Sequence, residues 1–134
     1  MTRNAIAATV LVAVHHAIAF AHGEAHSRLG VDLALWQWAY VYLVVTLAPI
    51  VAAGLYWTRW QRVGALVLTV SMLGSLLFGV YHHFVAVSPD HVSHLPEGDA
   101  QGLFVATAIL LAVSEAAGTA FGIWTWQRTA PARA

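Results

Sequence analysis

Residues 63–87, VGALVLTVSMLGSLLFGVYHHFVAV, contain no aspartate, glutamate, lysine or arginine. At 1.5 Å of rise per residue, such a run reaches across a hydrocarbon core of about 30 Å. It does not alternate apolar and polar residues, which excludes a barrel strand. Three further runs share its character, and together they predict helices over residues 4–26, 34–57, 62–87 and 100–127. Across the 134 residues, 60% are apolar and only 9% charged, a balance far from that of a soluble domain. The expected fold is therefore all-α: one domain, residues 1–134, forming an integral membrane antiparallel four-helix bundle.

The arginines orient it. Arg3 precedes the first run, Arg59 and Arg62 lie between the second and third, and Arg128 and Arg133 follow the fourth. By the bias of basic residues toward the cytoplasm, both termini are expected inside. The two longer loops, carrying Glu24, Asp32, Asp90, Glu97 and Asp99, are then outside. Trp36, Trp38, Tyr40 and Tyr42 mark one interface and Tyr56, Trp57, Trp60, Trp124 and Trp126 the other. The expected setting is a cell membrane of the prokaryotic plasma-membrane type, with the lipid bilayer as partner. Pro49 is expected to kink the second helix. Ser114, Gly118 and Gly122 form a small-residue seam that packs inside the bundle or against a second copy. Ser88 and Pro89 should end the third helix, and Asp99 is placed to cap the fourth.

Composition removes several chemistries. Net charge is zero and every basic residue is arginine, so no cationic face exists for nucleic acid. Without lysine there is no Schiff base. Without cysteine there is no disulfide, thiolate ligand or haem thioether. Met1 and Met72 are the only soft donors, so imidazole and carboxylate remain, which suit zinc, copper(II) or iron.

Eight histidines fall in two groups. By helical rise, His22, His82 and His83 lie about 27–29 Å up their spans, whereas His15, His16 and Glu115 lie about 17 Å up. The outer layer holds His22, His82 and His83 as first candidates for a metal, with His26, His91 and His94 as further ligands or a metal entrance. His15, His22 and His26 share one helical stripe. Glu24, Asp90, Glu97 or Asp99 can complete or orient the set. The inner layer pairs His15 or His16 with Glu115, for protons or a second ion, because a carboxylate at that depth must face the bundle and find a partner.

Two readings of the leading segment compete. Arg3, the apolar run and Ala19-Phe20-Ala21 outline a cleavable signal peptide. The resulting start, His22-Gly23-Glu24, resembles the mature N-terminus of the copper-containing B subunit of particulate methane and ammonia monooxygenases, which implies a terminal histidine on copper. Three residues carry that resemblance. The uncleaved four-span form is preferred, since the arginine pattern requires it. The spacings His22-x3-His26, His82-His83 and His91-x2-His94 resemble fragments of the histidine boxes of membrane desaturases and hydroxylases. The HxxHH boxes of those families are absent here, and their boxes face the cytoplasm.

The sequence thus points to a histidine-rich metal centre at the outer face, in metal handling or a membrane redox system, alone or within a homo-oligomer or larger complex. A b-type cytochrome is the main alternative, with haem b between His22 and His82 or His83. A non-catalytic packing subunit and a proton or metal transporter component are the others. No nucleophile with an adjacent base is recognisable, so enzymatic turnover is not argued.

Overall fold

The computed structural model describes residues 2–129. Met1, one of the two soft donors, and Arg133, one of the C-terminal arginines, lie outside them. The described chain is helical without strands, in four long apolar helices that have the length and composition to cross a membrane. They are α1, Thr2–Leu29; α2, Leu35–Tyr56; α3, Gln61–Val85; and α4, Gln101–Arg128.

Large apolar side chains cover the outside, among them Phe20, Leu35, Val70 and Val113. Small and polar ones fill the inside, including Ala8, Ala52, Ala65, Ser71, Ser75 and Thr107. Small residues let backbones approach, and approach is what holds helices together where lipid removes the hydrophobic difference between inside and outside. The seam of α4 turns inward. A Cβ on Gly122 would meet the backbone of α3 at Thr69 N, 2.9 Å, and Ala65 O, 3.0 Å, and one on Gly118 would press on Met72. At the same end Tyr56 bonds Thr125 across α2 and α4, and Trp57 Nε1 donates to Thr9 Oγ1 of α1 at 3.0 Å.

Helix α2 is irregular where proline predicts it. Its middle, Val41–Leu47, is a π-helical stretch that ends just before Pro49. Helix α3 also finishes in a π-turn, Tyr81–Val85, closed by Ala86 N donating to Tyr81 O at 2.7 Å. It ends before Ser88 and Pro89. Helix α1 runs on to Leu29, where Gly30, at φ +64°, turns the chain. There Val31 N donates to His26 O at 3.0 Å and Gly30 N to Ser27 O at 3.3 Å, the paired bonds of a Schellman ending. Asp99 does not cap α4. The helix is preceded by Ala100 without a side-chain cap, and Asp99 pairs instead with Arg28 in the last turn of α1.

Because the obstacle at Gly122 is backbone, which cannot rotate aside, Gly122→Ala should lower stability by about 1–3 kcal/mol through overpacking. Gly102→Ala, where a Cβ meets nothing within 4 Å, is the matched control. Thermal unfolding of the two variants in the same detergent tests the difference; equal midpoints would show that the α3–α4 contact is loose.

Candidate metal centre

His22 and His26 stand one turn apart on α1, so their rings rise from the same face. The terminal π-turn of α3 brings His83 against them. His22 Nε2 lies 3.2 Å from His83 Nε2 and 3.2 Å from His26 Nε2. Phe104 of α4 packs on all three rings, with centroid separations of 4.6, 4.8 and 5.3 Å to His22, His26 and His83.

The partners of the other ring nitrogens assign the protons. Thr107 commits its hydroxyl proton to the carbonyls of Leu103 and Phe104, 2.6 and 3.1 Å away. Its oxygen therefore accepts from His22 Nδ1, at 2.9 Å. His26 Nδ1 donates to Val31 O at 3.1 Å, a carbonyl delivered by the turn at Gly30. His83 Nδ1 donates to the backbone carbonyl of Asp90 at 3.1 Å. All three neutral rings then carry their proton on Nδ1, and three Nε2 lone pairs face one another. At this spacing they repel unless a cation or a proton lies between them. Holding Nδ1 by an outer oxygen is also how proteins orient metal-ligating histidines.

Asp90 completes the picture. The loop after α3 folds back, with Val92 N donating to His83 O at 3.0 Å, and this carries Asp90 into the cluster. Its Oδ1 sits 3.3 Å from His26 Nε2 and 3.2 Å from His83 Nδ1, buried and without a hydrogen bond of its own. Burial acts to raise the Asp90 carboxyl, but the adjoining His83 Nδ1–H outweighs it and holds the group below the usual carboxylate range. A tetrahedral ion with bonds of 2.0–2.1 Å places neighbouring ligand atoms about 3.3 Å apart, and His22 Nε2 stands 3.2 Å from both His83 Nε2 and His26 Nε2. His22, His26 and His83 form a group that can hold a metal ion.

The remaining sequence candidates lie elsewhere. His82 faces away from the group, its Nδ1 3.5 Å from Gln37 Nε2, packed by Phe78 and Trp36. It lines an outer groove of about 750 Å³ with Asp32 and Asp90. His91 and His94 pair with each other in the loop, Nδ1 to Nδ1 3.2 Å. Glu24, Glu97 and Asp99 are exposed. His15 and His16 do not meet Glu115 in any hydrogen bond. His15 Nε2 donates to Val45 O at 3.2 Å, while both nitrogens of His16 face carbonyls, Val12 O at 2.8 Å and Thr46 O at 3.1 Å. Val45 lies four residues before Pro49, which has no amide proton to give its carbonyl, so an imidazole from α1 takes that place. Thr107, Phe104 and the Val31 carbonyl are absent from the sequence reading, since a hydroxyl, a phenyl ring and a backbone oxygen carry no signature.

Beside the three histidines lies a cavity of about 280 Å³, bordered also by Asp90, Ser75, Phe78, Leu111 and Glu115. It shares Val31, Asp32, Leu33 and Asp90 with the outer groove.

If His15 serves the Pro49 gap, His15→Leu should cost about 1–3 kcal/mol for a buried carbonyl left unpaired, and less when combined with Pro49→Ala. Chemical unfolding of the single and double variants measures the coupling; strictly additive losses would contradict it.

Comparison with known proteins finds no family model, no curated relative and no solved structure that matches this chain.

Proposed function

We propose that this is a membrane metal-centre protein, binding a first-row transition ion through Nε2 of His22, His26 and His83, with Asp90 beside the group and a fourth position left open. Its work is metal handling or a membrane redox step at the non-cytoplasmic face of the bilayer. The observation that carries the reading is the convergence of three imidazole Nε2 atoms, each ring's other nitrogen held by an oxygen. Three imidazole donors with a carboxylate nearby suit zinc first and copper(II) next. The haem alternative gains no support. An axial pair must stand two bond lengths apart with the macrocycle between, and His22 and His83 leave no such gap at 3.2 Å. The short His83–Asp90 and His26–Asp90 separations support one competing reading, a packing subunit whose cluster binds protons instead.

Elemental analysis of protein purified from its own membrane, before and after chelation, separates the two. The metal reading expects about one transition ion per chain, a rise in melting temperature on loading, and loss of both in His22→Ala, His26→Ala or His83→Ala. His82→Ala, His91→Ala and His94→Ala should retain the ion. Wild-type protein that stays free of metal in every preparation, with a melting temperature that moves with pH alone, would favour the packing subunit.

Thr107→Val removes the acceptor for His22 Nδ1 without touching the metal's neighbours. It should weaken metal binding about 10–100-fold, the range for such outer partners, as read by chelator competition. An unchanged affinity would show that the hydroxyl does not orient the ring.

A further inference from the structure

We infer that the cavity between the three-histidine group and Glu115 is a binding site for a small neutral molecule with a lone pair at one end and an N–H or O–H at the other. The lone pair goes to the metal and the proton-bearing end to the Glu115 carboxyl, so this inference rests on the metal reading above.

Glu115 carries it. The side chain is only 3% exposed, and no described group hydrogen-bonds its carboxyl. Two neighbouring hydroxyls are committed elsewhere, Thr119 donating to the Glu115 backbone carbonyl at 2.8 Å and Ser75 to Ser71 O at 2.9 Å, and the Tyr40 hydroxyl makes no hydrogen bond to the carboxyl. A carboxyl in an apolar wall without a partner is costly. Glu115 borders the cavity, which His22, His26 and His83 also border. A guest that satisfies the carboxyl therefore also lies beside the metal position.

Gly79 keeps the two ends in reach of each other. A Cβ built there would stand 3.9 Å from Glu115 Oε2 and 3.9 Å from His83 Cδ2. The carboxyl and the ligand ring are thus separated by two ordinary contacts across an absent side chain. The volume of about 280 Å³ falls at the bottom of the range for small-molecule pockets. Leu111, Phe78 and Val45 are among the apolar residues that line it, so the guest's polar groups are met by the carboxyl and the metal. The cavity shares Asp32 and Leu33 with the larger groove beside it.

Imidazole and 1-methylimidazole are a matched pair of probes, since both offer a lone pair to a metal and only the first has an N–H. The full chain, loaded with cobalt(II) in detergent, is titrated with each while the visible cobalt absorption is followed. The inference expects imidazole to bind about tenfold more tightly, the worth of one hydrogen bond. Glu115→Leu should abolish this preference while keeping cobalt affinity. Gly79→Ala, whose added carbon fits at ordinary contact distance but narrows the passage, should weaken imidazole binding with cobalt uptake intact. Equal binding of both probes by the wild type, no spectral response to either, a preference that survives Glu115→Leu, or imidazole binding unmoved by Gly79→Ala would each overturn it. Failure of the wild type to take up cobalt is seen before any probe is added, and it would defeat the metal centre itself.

Discussion

Three imidazole lone pairs held at one point by their own outer hydrogen bonds are the constraint on which the histidine end of this bundle depends. No single helix could impose it. The turn at Gly30 presents the Val31 carbonyl to His26, Thr107 of α4 fixes His22, and the loop after α3 returns to give His83 the carbonyl of Asp90. Each device removes the freedom of one ring to rotate its proton inward. Mutual repulsion of the nitrogens is the cost of this arrangement, and an ion at their centre converts it into binding energy.

The other end of the bundle obeys a different physics. It holds no comparable cluster among the described residues, and alanines and glycines there let the helices approach around a core of Val12, Tyr56, Leu68 and Met72. Between the two ends, Pro49 and the π-helical stretch before it leave carbonyls that His15 and His16 reach from α1. The mid-bundle histidines thus bind backbone, and Glu115 is left facing the cavity.

The four long helices were legible in the sequence because length and apolarity are properties of runs, which survive any local error. So was the meeting of imidazoles from α1 and α3. The choice between His82 and His83 was not. Adjacent residues on a helix point about 100° apart, and a π-turn shifts that angle without a sequence mark. The pairing of Glu115 with His15 or His16 followed from depth alone, and depth says nothing of azimuth. What overrode it was the carbonyl opposite Pro49. Asp99 had the composition of a helix cap, yet Arg28 offered it a charge instead.

X-ray absorption at the metal edge of the loaded protein tests the central claim most directly, because it counts and measures the ligands themselves. The account predicts a four-coordinate ion with bonds of about 2.0–2.1 Å and the multiple-scattering pattern of three imidazoles plus one oxygen. A six-coordinate shell of oxygen, or scattering from fewer than two imidazoles, would contradict it.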